Sequence, residues 1–374
     1  MTGQNWVEAF AGLAVVLLVL NDIFRAAVLP RPAIGKLVVV KYLLRWLWRG
    51  WRWMGTRPTR AARREARLAA FAPVSVFIMF GLWAVGLIVG YALLLHGIGA
   101  GLRPVPRSFG EALYFSASTF VPLSYGDIVP VSVPARITTI AESGSGVILA
   151  ALVITLLFSL YQSFQRREEL VVTLDAMAGA PPSGIQMLET AAERGMRREL
   201  IGTFDDWRRW AAAVLESHLA YPALVYFRSS HDNEAWLNSF GAVMDAATLV
   251  MSTVEEESAG SAHLMLTVGR HLVEDLAWSF RLDRSQEPYV ERTEFDAALT
   301  RLSKAGYRCR EGEAAWGEFA SLRARYAYPL NQMAKRLAII PAPWIGDRSY
   351  VPHERVPART RRARRQGADS ISRR

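Results

Sequence analysis

Residues Ala69 to Leu95 run without one charged side chain, and that run limits the chain to few folds. A helix needs about 20 apolar residues to cross the hydrocarbon core of a bilayer. Two further stretches meet the same test. Trp6 to Leu29 holds Glu8 at its start and Asn21, Asp22 and Arg25 in its second half, and Ile137 to Phe164 holds one charged group, Glu142. Mean hydropathy over the 374 residues is only +0.13, although 51% of them are hydrophobic. A membrane part joined to a soluble part is therefore expected. The N-terminus has no basic n-region and no A-x-A-like cleavage site, so the first span is expected to be retained.

The net charge of +10 is unevenly placed. Residues 30–67 carry eleven Lys/Arg against Glu65, and residues 353–374 carry eight Arg against Glu354 and Asp369. Nucleic-acid binding would be the simple inference from so basic a chain. The first basic block lies between two apolar spans, however, and positive-inside topology accounts for it without a nucleic-acid partner. This orientation puts the N-terminus outside, His96–Arg136 outside and everything after Phe164 in the cytoplasm, as a multi-pass cell-membrane protein. Within the block, Lys36, Lys41, Arg45, Arg49 and Arg52 recur at helical steps, with Leu37, Val40, Leu43, Leu44 and Leu47 between them. Trp46, Trp48, Trp51 and Trp53 crowd the later part. Such a helix fits the headgroup region of an anionic bilayer; the alternative is a helix packed on the soluble domain. The Arg-rich tail is expected to be disordered and to meet anionic lipid.

Between the second and third spans, Ser108 and Glu111 have capping-box spacing at the head of a short helix ending near Phe120. This helix is too short to span. The extended stretch Val121–Pro130 follows and contains Tyr125-Gly126-Asp127. Alone the tripeptide is an ordinary turn; between two spans it is a specific signal.

Span, short helix, Tyr-Gly-Asp loop and span together resemble the two-helix pore module of potassium channels, over roughly residues 69–167. The resemblance rests on Ala112-Leu113-Tyr114-Phe115-Ser116, Tyr125-Gly126-Asp127, Pro130, Arg136 and Gly146. It implies an ion filter at Pro122, Leu123, Ser124, Tyr125, Gly126 and Asp127, whose backbone carbonyls replace the hydration shell of a permeating K⁺. It also implies a gating hinge at Gly146. One loop is a quarter of such a filter, so a homotetramer is implied. Two positions depart from the family pattern. Pro122 replaces a threonine, keeping the carbonyl but removing the hydroxyl and the N–H. Ser124 replaces a glycine where left-handed backbone costs another residue about 1–2 kcal/mol. Filter support is expected from Glu142 through Ser118 or Thr119, an intramembrane carboxyl being a functional candidate by default; snorkelling to the outer interface is the alternative.

After Phe164 the pattern is helical, with segments near 166–177, 184–193, 198–219, 233–257, 261–280, 293–304 and 313–337, and a break at Gly179–Ser183. The fold class is all-α: a pore module, one extra transmembrane helix and a helical cytoplasmic domain. The expected division is 1–29, extra span; 30–68, basic interfacial helix and linker; 69–165, pore module; 166–350, helical domain; 351–374, tail. His218, His231, His263 and His271 lack converging metal-ligand spacing, although His271 shares a helix face with Glu274 or Asp275. Trp207–Trp210 and Tyr221–Phe227 read as core or subunit contact. Cys309 has no positioned base. No metal, cofactor or enzymatic constellation is expected. The leading expectation is a cation channel; the alternative is a non-conducting membrane scaffold or sensor that retains the pore fold.

Overall fold

The computed structural model describes residues 5–28, 39–57, 61–99, 101–123, 125–229, 235–282, 285 and 287–344. Thirteen α-helices are described. They are α1 (Trp6–Ile23), α2 (Val39–Gly55), α3 (Ala61–Ala69), α4 (Phe71–Ile98), α5 (Phe109–Phe120), α6 (Val133–Ala178), α7 (Gly184–Glu193), α8 (Glu199–Ala220), α9 (Trp236–Ser252), α10 (Ala259–Phe280), α11 (Arg292–Lys304), α12 (Glu313–Ala324) and α13 (Ala327–Leu337). Two short strands, β1 (Leu102–Arg103) and β2 (Val129–Pro130), pair antiparallel and join the segment before α5 to the one before α6. The protein is all-α, and α1, α4 and α6 are long and apolar enough to cross a membrane.

α1 and α4 pack through glycine. A Cβ at Gly12 would collide with the backbone of Gly90 and Leu94, and one at Gly97 with the backbone of Ala9. Gly90 meets Val16, and Gly86, four residues earlier on the same face, meets Val19. Small residues at this spacing let membrane helices approach closely enough for dispersion to hold them. The polar residues of α1 supply the ends of this contact. Glu8 pairs with His96 at 2.6 Å, and Trp83 Nε1 donates to Asp22 at 2.9 Å. Asp22 is thus a cross-helix acceptor, buried where its charge alone would be costly.

α2 has two faces. Leu44 and Trp48 are buried, with Trp48 against Phe71 (4.8 Å between centroids) and Tyr226 (5.2 Å). Its Nε1 donates to the Arg336 carbonyl at 2.9 Å, and that of Trp51 to the Arg67 carbonyl at 2.8 Å. Two of the four tryptophans in this helix therefore face protein. Trp46 and Trp53 point away from it and are 67% and 66% exposed.

The third span does not stop at the membrane. An additional helix was expected over 166–177, but α6 runs unbroken for 46 residues, about 69 Å at 1.5 Å per residue. No Gly or Pro interrupts it between Gly146 and Ala178; Gly179 at φ +77° ends it. As α6 emerges, Arg167 becomes the joint between the membrane helices and the helical domain. Its guanidinium donates to the carbonyls of Leu224 (3.0 Å) and Phe227 (2.7 Å) and to Glu168 (2.9 Å), and lies over the rings of Phe164 and Trp236. Trp210 Nε1 donates back to the Arg167 carbonyl at 2.9 Å.

The helical domain closes around Trp207, Trp210, Trp236 and Phe240. The core includes Leu68, Phe71 and Ala72, so the first turn of α4 belongs to it. Residues 313–337 were expected as one helix, but they break at Arg325–Tyr326. The break lets Arg323 and Tyr326 both reach Asp245 of α9, at 2.9 and 2.7 Å, with Tyr326 also on Thr248. His218 is buried beside Arg167, and His271 pairs with Asp275 at 3.4 Å on the surface. His231 lies outside the described residues, as do the tail 351–374, Lys36 and Leu37.

Two outcomes are expected. Arg167→Ala leaves two carbonyls and Glu168 buried without their donor, and should destabilise the protein in detergent by about 3–5 kcal/mol, read as a lowered thermal midpoint. Burial and the adjacent Arg167 charge hold the His218 imidazole down to about 3, against about 6.5 unfolded. The unfolded chain then binds the extra proton between those values, so stability should fall as pH drops from about 6.5 towards about 3. His218→Gln should flatten that part of a pH–stability curve.

Candidate functional site: the re-entrant loop

α5 begins as its sequence demands. Ser108 caps it by accepting from the Glu111 N–H at 3.4 Å, while the Glu111 carboxylate takes the Arg107 N–H at 2.7 Å. Ala112, Ser116 and Phe120 lie one above another on the buried side, the i, i+4 spacing of one helix face. This side wedges α5 between α4 and α6.

The hydroxyl of Ser116 is the pivot of the wedge. It hydrogen-bonds the Ile88 carbonyl of α4 at 2.8 Å and the Glu142 carboxyl of α6. Glu142 is fully buried, and its second oxygen has no partner among the described residues. It does not snorkel; it links the inner helix to the short helix. Its partner is Ser116 rather than Ser118 or Thr119. Ser118 instead donates to the Phe115 carbonyl at 2.9 Å, and Thr119 is half-buried. A second brace joins Tyr91 of α4 to Ser145 of α6 at 2.9 Å.

Gly146 faces the C-terminal end of α5 so closely that a Cβ would collide with the Phe120 carbonyl. Close approach alone therefore requires glycine there, whatever part it plays as a hinge. Beyond Phe120, the Leu123 N–H returns to the Ser118 carbonyl at 2.8 Å. Pro122 has φ +20° and Gly126 φ +78°. The second of these is the left-handed backbone that glycine adopts without penalty. Ser124 lies outside the described residues. Leu123 and Tyr125 are exposed, as are Pro122, Gly126 and Asp127.

The Tyr114 side chain lies beside Asp127, so the Tyr-Gly-Asp turn passes near the middle of α5, a proximity that the sequence reading did not anticipate. Arg136 then donates to the Pro130 carbonyl at 3.3 Å, and the Gly101 carbonyl accepts from Val131 at 2.9 Å. The loop is thus tied at Ser118 and Pro130. A non-helical backbone at membrane depth is tolerated only where protein or a water-filled cavity surrounds it, and these ties supply part of that enclosure. The negative end of the α5 dipole points along the same direction as the loop entrance at Val121.

A family model described as an ion channel matches residues 77–163. That segment is similar to ion channel domains. It includes most of α4, all of α5 and the loop, and α6 as far as Gln162–Ser163. The first span and the helical domain lie outside the match. No curated protein matches the chain, and no solved structure does.

Glu142→Gln preserves size and hydrogen-bonding atoms and should leave the ion channel domain assembled. Glu142→Leu removes the partner of Ser116 and should lower the thermal midpoint in detergent, by the equivalent of about 1–3 kcal/mol for one lost buried hydrogen bond. Equal stability of the two variants would mean that the link does not hold α5 to α6.

Proposed function

We propose that the chain is one subunit of a homotetrameric, potassium-channel-like cation channel of the cell membrane. In this reading ions pass along the backbone carbonyls of Leu123, Ser124, Tyr125 and Gly126, with Pro122 innermost and Asp127 outermost. The observation that carries it is the wedge of α5 between α4 and α6, with Ser116 on Glu142 and Gly146 against the Phe120 carbonyl. This bracing supports the reading, because a carbonyl filter works by replacing the ion's hydration shell with backbone oxygens.

Four copies around an axis would complete the ring of carbonyls. The surface of one chain is consistent with that. Val121, Leu123 and Tyr125 of the loop are exposed, as are Ile140, Val147, Ile148, Ile154 and Phe158 along α6. An apolar face of this extent is one that neighbouring subunits and lipid would cover. The basic block between α1 and α4 favours a cytoplasmic helical domain and an external N-terminus. The reading requires no cofactor and no enzymatic step.

Selectivity is expected to be weaker than in a channel with threonine and glycine in the filter. Pro122 contributes no hydroxyl, and Ser124 resists the left-handed backbone. Purified tetramers in a planar bilayer, with K⁺ on one side and Na⁺ on the other, should carry a cation current. Its reversal potential should lie between zero and the value for a strictly K⁺-selective pore. The combined Pro122→Thr, Ser124→Gly variant should move the reversal towards the K⁺ value. No current from verified tetramers would replace this reading with that of a non-conducting scaffold or sensor. A current unmoved by the double change would mean that ions do not pass this loop.

A further inference from the structure

Arginines that leave solvent in the helical domain find partners. Arg197, Arg301 and Arg323 reach Glu256, Glu189 and Asp245, and Arg336 reaches the Phe280 carbonyl. Arg270 on α10 departs from this pattern. It is half-buried, its Nε is shut off from solvent, and that nitrogen has no hydrogen-bond partner among the described residues. A buried donor on a charged group costs stability unless something accepts from it.

Arg270 lines a cleft of about 600 Å³ between α10 and the break that separates α12 from α13. Glu274 and Ala277 continue its wall at helical steps, and Ser321, Arg325 and Pro329 belong to the facing wall. The break at Arg325–Tyr326 sets that second wall. It brings Arg323 and Tyr326 onto Asp245 and leaves Arg325 exposed at the cleft. Neither Arg270 nor Arg325 has an ion pair or a side-chain hydrogen bond among the described residues. Glu274 lies four residues beyond Arg270 and forms no ion pair with it, although both line the cleft.

The geometry points to a binding site for a small phosphorylated sugar or polyol, its phosphate held between Arg270 and Arg325. A guanidinium fork matches phosphate oxygens two at a time, and here two forks reach one cleft from different elements. Glu274 supplies an acceptor, and Ser321 a donor and an acceptor, for the hydroxyl groups of such a ligand. No aromatic ring lines the cleft among the described residues, so a nucleobase finds no stacking platform there. The volume is that of an ordinary small-molecule pocket. A phosphate bound by both guanidiniums ties α10 to the start of α13, as Arg336 of α13 already does through the Phe280 carbonyl. The site belongs to the helical domain and stands or falls apart from ion conduction.

Isothermal titration calorimetry of the full chain in phosphatidylcholine nanodiscs tests this. The probe is ribose phosphorylated on its primary hydroxyl, compared with ribose and with inorganic phosphate. The sugar phosphate should bind once per chain, at least about tenfold more tightly than either fragment. Arg325→Gln should raise its Kd at least about tenfold, the loss of one charge-assisted hydrogen bond. Because Arg325 is exposed and makes no side-chain bond, this variant should keep the thermal midpoint of the parent chain. Arg270→Gln should weaken binding to a similar degree. Glu274→Gln should raise the Kd of the sugar phosphate and leave that of inorganic phosphate unchanged. Arg209→Gln, at a surface ion pair on α8, should alter neither. No binding of the sugar phosphate, binding unmoved by Arg325→Gln, or inorganic phosphate bound as tightly as the sugar phosphate would each overturn the proposal.

Discussion

The unbroken helix α6 is the member on which the rest of the structure depends. Its outer third holds Glu142 against Ser116 and Gly146 against Phe120. Its inner end carries Arg167 into the carbonyls that follow α8. Sharp bends in a helix occur at a proline, a Gly/Ser pair, a π-bulge or an inserted group. None of these lies between Val147 and Arg167 among the residues of α6, and Ser143-Gly144-Ser145-Gly146 precedes that stretch. One continuous helix therefore links the contacts beside the loop to the helical domain.

The membrane imposes the second condition. Backbone polar groups at bilayer depth need partners, and α5 satisfies its own by being helical. The loop after it cannot. The Leu123 N–H finds the Ser118 carbonyl, and the carbonyls of Leu123, Tyr125 and Gly126 accept no backbone hydrogen bond among the described residues.

Local chemistry was legible in the sequence and through-space chemistry was not. The spans followed from apolar length, the start of α5 from Ser108 and Glu111, and the end of α6 from Gly179. α7 and α11 fall within a residue of their expected limits for the same reason: a cap or a turn residue marks each end. The break between α12 and α13 carries no such mark, because it exists to bring Arg323 and Tyr326 onto Asp245, which is distant in sequence. Ser116, rather than Ser118 or Thr119, as the partner of Glu142 is the same kind of fact. Three hydroxyls lie within four residues, and only the rotation of α5 between its neighbours selects one. Arg167 carries no local mark of its role, which depends on Leu224 and Phe227 folding over it.

Gly146 shows how tightly the two ends of α6 are joined. A glycine in an inner helix is usually read as freedom to bend, yet here the missing side chain is filled by the Phe120 carbonyl. Any bend at that point must slide α6 across the last turn of α5, directly beneath Val121 and Pro122. A hinge at Gly146 would thus act directly on the start of the Val121–Pro130 loop. The same contact makes the region intolerant of any side chain, so packing alone would retain the glycine even in a pore that never bends.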